Sequence, residues 1–166
     1  MKKIWNSITL FSLIALLSVP VMAQENDLPS ITLPDMYGKN VVIQDLAQIE
    51  EPVVMSFWAT WCLPCIRELN TINDMIDDWR DETGVHFYAV SVDDSKTVAR
   101  VNAMVNGKGW DYDVLLDTNN DLKRLLNIPT VPHVVLLHKG KIVYRHAGYQ
   151  PGAEMMLYEK IQEYAN

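Results

Sequence analysis

The chain has two cysteines, Cys62 and Cys65, three positions apart, with Leu63 and Pro64 between them at the end of an apolar run. That placement constrains the fold most, because it marks where a buried strand must hand the chain to a helix. The run from Pro52 to Ala59, PVVMSFWA, has Ser56 as its one polar break, as expected of a strand covered on both faces of a sheet. After Cys62 the period changes. Ile66, Leu69, Ile72, Ile76 and Trp79 recur at steps of three and four, which predicts one helix ending near Gly84. Asn73, Asp74, Asp77, Asp78 and Asp81 fall on the other, solvated face. Cys62 therefore sits at the helix N-terminus, where unpaired backbone N–H groups and the positive end of the dipole favour a thiolate. Pro64 fits the first turn, where its missing N–H costs nothing, and Cys65 lies one turn inward.

The opening residues, MKKIWNSITLFSLIALLSVPVMAQ, have the three parts of a secretory signal. Lys2 and Lys3 precede an apolar stretch from Ile8 to Val19, and Val21-Met22-Ala23 is a small-residue cleavage pattern. Cleavage is expected after Ala23. The rival is an uncleaved anchor, since Ile4 to Ala23 carries no charge; but the strongly apolar part spans only 12 residues and Pro20 interrupts it, whereas a spanning helix needs about 20. The expected organisation is a signal peptide over 1–23, a short tether over 24–30 and one domain over 31–166. The expected location is the periplasm, or the extracytoplasmic face of the membrane if the signal is retained. Removing the signal also removes two lysines and takes the net charge from −7 to −9. So acidic a chain, with no basic cluster, is unsuited to nucleic acid or anionic lipid.

An oxidising compartment permits a disulfide, but a bridge between Cys62 and Cys65 makes a poor staple. On the chain-entropy model its four-residue loop is worth roughly 2 kcal/mol, against about 4.7 for a 100-residue loop. A structural zinc site needs four ligands, and no second cysteine pair exists. Copper suits soft thiolates, and the chain has four histidines and eight methionines, but none lies at ligand spacing near the pair. Redox chemistry remains: one thiolate attacks a disulfide, and the second, held within reach, resolves the mixed disulfide.

The rest reads as alternating strands and helices. ITLPDMYGKNVVI predicts two short strands around a turn at Tyr37-Gly38-Lys39, and Val85 to Asp93 a strand. A helix is expected from Ser95 to Asn106, stopping at Gly107 and Gly109, then a short strand, DVLLD, and a helix from Asn119 to Leu126 with Asp117 or Thr118 as N-cap. His133–Leu137 and Ile142–Arg145 flank His138-Lys139-Gly140-Lys141, a hairpin signal. A closing helix from Pro151 to Tyr164 has Met155, Leu157, Tyr158 and Ile161 as its apolar positions. The fold class is α/β, a central mixed sheet with helices on both faces.

Three separated stretches, ITLPDMYGKNVVIQDL, FWATWCLPCIRE and NIPTVPHVVLL, resemble exported thioredoxin-fold proteins of the TlpA/ResA group of thiol-disulfide oxidoreductases. The resemblance implies a thioredoxin-like fold with an added N-terminal β-hairpin. It implies Cys62 as exposed nucleophile, Cys65 as buried resolving cysteine, and a Cys62–Cys65 redox disulfide. Pro132 matches the cis-proline facing that disulfide, Val131 the residue whose backbone meets a substrate strand, Trp61 the aromatic beside the nucleophile, and Pro64 the proline of the motif. Trp58 reads equally as packing. Cytoplasmic thioredoxins have a buried aspartate six residues before the first cysteine; here that position is Ser56. The TlpA/ResA group has instead a glutamate three residues after the second cysteine, here Glu68. The group's proline soon after that glutamate is absent, which suggests a straighter helix. His133, where threonine is common, either tunes the thiolate or starts a strand at a solvent edge.

The expected function is reduction of protein disulfides outside the cytoplasm, since Leu63 and Pro64 add no charge or donor to stabilise a thiolate. The alternatives are a disulfide oxidase or isomerase, and a copper- or zinc-binding module using the same cysteines. Expected partners are disulfide-containing client proteins, apocytochrome c among the candidates, and a membrane thiol-reducing donor. No cofactor and no nucleic acid are expected, and the protein should be a monomer.

Overall fold

The computed structural model describes residues 27–165. The expected signal peptide, and residues 24–26 of the expected tether, lie outside the described residues. The rest of that tether is docked. Asp27 N–H donates to the Gly140 carbonyl at 2.8 Å, Ile142 N–H donates to the Asp27 carboxylate at 2.9 Å, and Leu28 is buried.

Strands β1 (Thr32–Pro34) and β2 (Asn40–Val42) form the expected N-terminal hairpin, followed by a 3-10 helix over Ile43–Gln48. Then come β3 (Val53–Trp58), α1 (Leu63–Asn73), α2 (Ile76–Thr83), β4 (His86–Ser91), α3 (Ala99–Lys108), β5 (Asp113–Leu116), α4 (Asp121–Leu125), β6 (His133–His138), β7 (Lys141–Ala147) and α5 (Ala153–Tyr164). The main sheet has the order β5-β4-β3-β6-β7. All six residues of β3 are buried, which is why its sequence is a continuous apolar run rather than an alternation. It pairs parallel with β4 and antiparallel with β6, with Trp58 opposite Ser91 and Phe57 opposite His133. This register brings the turn after β3, the loop after β4 and the segment before β6 to one end of the sheet.

The single helix expected up to Gly84 is two. Its apolar stripe continues through Leu69, Ile72, Ile76 and Trp79, all buried, but the backbone leaves the helix at Met75 (φ −124°, ψ −8°). The segment after α3 pins the break. Asn70 accepts from the Trp110 indole N–H at 2.9 Å, and Asn73 accepts from Asp111 N–H at 2.9 Å. A straighter helix was expected from the missing proline; those tertiary bonds interrupt it instead. Gly84, at φ 69°, ends α2 in the left-handed conformation that glycine adopts without a Cβ penalty.

Helix α3 starts at Ala99, later than expected. The Asp94 carboxylate accepts from Lys96 N–H, Thr97 N–H and the Thr97 hydroxyl, which holds a turn there. Asp117 caps α4 from outside the helix, accepting from Leu122 N–H at 3.1 Å and Lys123 N–H at 2.8 Å. Lys139 (φ 48°) and Gly140 (φ 75°) both take positive φ in the β6–β7 turn, as a two-residue hairpin matching the strand twist requires. In α5 the buried stripe is Ala153, Leu157 and Ile161, while Met155 and Met156 are exposed. Met155 therefore does not share the core face that the sequence suggested. Helices α1, α2 and α5 pack together, and Trp79 stacks on Tyr158 with ring centroids 5.2 Å apart. No helix among the described residues is long and apolar enough to cross a membrane.

Candidate functional site

Cys62 and Cys65 form a disulfide at the end of the sheet where these loops meet. A turn closed by Cys62 N–H donating to the Ala59 carbonyl at 3.0 Å carries the chain from β3 to α1. Cys62 is the N-cap of α1, and its sulfur accepts from Cys65 N–H at 3.3 Å. Pro64 lies in the first turn, where an N–H would have no helical partner. Cys62 thus faces the positive end of the helix dipole, and Cys65 sits one turn in. Their burial differs less than expected: Cys62 is 6% exposed and Cys65 fully buried. In the oxidised pair the Cys62 sulfur is bonded inward to Cys65, which withdraws it from solvent.

Trp61 and Leu63 flank Cys62 and are exposed, Trp61 with 61% of its surface open. Trp61 and Val131 line one groove of about 520 Å³, together with Val92, Asp94, Asn120, Lys123, Pro129 and Thr130. The structure thus joins two of the expected substrate residues. Of the other two, Pro64 is exposed on the first turn of α1 and Pro132 is buried, and neither lines the groove. The Val131–Pro132 peptide is cis. Lys123, Asn120 and Asp94 come from α4, the residue before it and the loop after β4. No local motif marks them; the β5–β4–β3–β6 strand order brings them beside Trp61.

Glu68 is 2% exposed on the inner face of α1, one turn beyond Cys65. Burial pushes its carboxyl up to about 7 and Glu154 adds to the rise, while a hydrogen bond from the Ser56 hydroxyl, at 3.4 Å, pulls the other way. Ser56, at the position of the thioredoxin aspartate, therefore acts as a partner of the acid. The sequence had supplied both positions but not their contact, which joins β3 to α1.

His133 is not at a solvent edge. It is 7% exposed, held between Phe57 of β3 and Ala147 of β7. Burial lowers its pKa, and the nearby Arg145 and His146 lower it further. Trp58 is fully buried and meets Trp110 edge-on at 5.1 Å, so packing accounts for it. Among the described residues no three His, Cys, Asp or Glu side chains cluster as a metal site would require.

The sequence profile of the AhpC/TSA family matches residues 25–145. Over 123 residues the chain is 28% identical to the thiol-disulfide oxidoreductase ResA of Bacillus subtilis, covering 74% of this chain and 66% of that protein. Among solved structures, an uncharacterized thioredoxin-like protein from Porphyromonas gingivalis is 42% identical. It superposes with a TM-score of 0.74, over 84% of this chain and 92% of that one. A putative thiol:disulfide interchange protein DsbE from Chlorobium tepidum is 22% identical, with a TM-score of 0.72 over 83% of this chain and 94% of its own, and shares the fold. The fold is thioredoxin-like, a five-stranded mixed sheet with an added N-terminal hairpin.

Proposed function

The chain belongs to the AhpC/TSA family, with thiol-disulfide oxidoreductases among its relatives and a Cys62–Cys65 redox disulfide of its own, and from this we propose that it reduces disulfides in client proteins outside the cytoplasm. The observation that carries the reading is the disulfide at the N-terminus of α1, beside a groove that reaches Val131. The Cys62 thiolate attacks one sulfur of a client disulfide, forming a mixed disulfide and releasing the client's other sulfur as a thiolate. Cys65 gives its proton to the Glu68 carboxylate and attacks the Cys62 sulfur. The client's second sulfur leaves as a thiolate, and the protein is left with the disulfide seen here. A client segment lies in the groove between Trp61 and Val131, with apocytochrome c as one candidate client. In an oxidising compartment a membrane thiol donor must return the pair to the dithiol.

Two expected results test this reading. The couple lies nearer −270 mV, about thioredoxin's value, than about −120 mV at the oxidising end of the fold's range. Equilibration with glutathione or dithiothreitol measures it, and a potential above about −180 mV would turn the reading into an oxidase or isomerase. In the reduced protein, a brief pulse of alkylating agent at neutral pH labels Cys62 well before Cys65, because the helix terminus lowers the first thiol and burial protects the second. Mass mapping reports the order, and preferential labelling of Cys65 reverses the assigned roles. Titrating the dithiol protein with Cu(I) and Zn(II) tests the metal-binding alternative.

A further inference from the structure

Directly behind the turn that presents Cys62 lies Asp93, a carboxylate with no solvent exposure. Thr60 N–H donates to one of its oxygens at 2.9 Å, and the Thr60 hydroxyl donates to the other at 2.6 Å. The Ser91 hydroxyl donates to the first oxygen at 2.9 Å. The O–H···O distance from Thr60 falls in the range of charge-assisted bonds. Three donors converging on two oxygens is how a buried anion is held. The clamped residue is the first central position of the Ala59–Cys62 turn, which Cys62 N–H closes. The contact spans 33 residues of sequence and ties the loop after β4 to the turn after β3.

We propose that Asp93 is a positioning residue of the redox centre: it fixes the turn that presents Cys62, and its buried negative charge opposes the thiolate there, keeping the couple reducing. The inference rests on Cys62 being the attacking thiol. At the N-terminus of α1 the dipole stabilises a Cys62 thiolate and so favours the reduced form. A carboxylate shielded from water behind the same turn acts against it, because an anion disfavours a second anion and low dielectric strengthens the effect. Other charged or titratable groups around the site are Glu68 on α1, Asp94 in the same loop as Asp93, the buried Asp117 after β5, whose N–H donates to the Ser91 carbonyl, His133 on β6, and Lys123 on α4. Each stays in place when Asp93 or its donor is changed.

The test compares Asp93→Asn with Thr60→Ala in the otherwise intact protein, reading the Cys62 thiolate by its ultraviolet absorbance against pH and the equilibrium with glutathione. Asp93→Asn removes the charge but keeps the size and much of the hydrogen bonding. Its Cys62 pKa falls by about half a unit, roughly a threefold gain in thiolate fraction. The equilibrium constant for its reduction by glutathione rises in step. Thr60→Ala keeps the charge but deletes one of the donors that offset it, so its Cys62 pKa rises and its reduction becomes less favourable. Opposite signs from two changes at one contact are not expected of a clamp that is only structural. The proposal is overturned if Asp93→Asn leaves both readings unchanged or raises the Cys62 pKa. Should Asp93→Asn fail to fold, Thr60→Ala decides alone, and an unchanged or lowered Cys62 pKa rejects the proposal. Rapid alkylation of Cys65 ahead of Cys62 in the parent protein would instead overturn the assignment of Cys62, a separate failure.

Discussion

Replacing Glu68 with Gln is expected to stabilise the protein by about 3 kcal/mol at pH 8 and to change it little at pH 4. The carboxyl ionises near 4.5 when free and near 7 in the fold, because burial disfavours its charged form. A raised folded pKa means that the folded state holds its proton more tightly than the unfolded chain. Below pH 4.5 both states are protonated and there is no penalty. Between 4.5 and 7 the unfolded state releases its proton first, so stability falls as pH rises; above 7 the full difference is lost. Glutamine, neutral throughout, removes that slope. The gain corresponds to a rise in Tm on the order of 10 °C at pH 8 for a domain of this size. Thermal unfolding of both proteins, each with its disulfide intact, at pH 4 and pH 8 measures it. Equal Tm differences at the two pH values would show that the carboxyl is not perturbed.

The same substitution separates the two chemical steps. Attack by Cys62 does not use Glu68, so formation of the mixed disulfide should proceed at the parent rate. Resolution needs the Cys65 proton removed in a site closed to water, and loss of a positioned base costs on the order of 10² in rate. The mixed disulfide should therefore accumulate. Rapid mixing with an oxidised peptide, quenching in acid and resolving the species by mass follows both steps. Parent-like rates for both across pH 5 to 9 would leave Glu68 with a structural role only.

A larger effect is expected from Cys65→Ser, which should end turnover altogether while leaving Cys62 able to attack. Serine fits the buried site of a side chain of similar size and cannot resolve a mixed disulfide. The bridge removed closes only four residues, so the lost chain constraint is small, roughly 2 kcal/mol. Expressed in its own compartment, the variant should hold clients on Cys62 through a bond that thiol reductants cleave, and mass spectrometry would identify them. Recovery of the variant with Cys62 free, when the parent protein is active on an oxidised client, would contradict attack by Cys62.

The sequence by itself determined most of the elements and pointed to thiol-disulfide chemistry. The apolar run before Cys62 could be buried only as an interior strand, and the step of three and four after it could be buried only as a helix. The two cysteines fall between the two, at a helix N-terminus, because local periodicity places them there. Glu68 was legible as the glutamate three residues after the second cysteine that the resemblance singles out, with no cation three or four residues away from it. The tertiary structure decided what lies across from these residues. The break at Met75 depends on Asn70 and Asn73 receiving hydrogen bonds from Trp110 and Asp111, some 40 residues away. The burial of His133 depends on β6 lying inside the sheet rather than at its edge. The Ser56–Glu68 contact, the groove between Trp61 and Val131, and the hold of Asp93 on Thr60 all depend on the register of β3 with β4 and β6. Periodicity reports which face of an element is apolar, because burial acts on each residue separately. Which residue it meets across that face is set by strand order and register, to which side chains distant along the whole chain contribute at once.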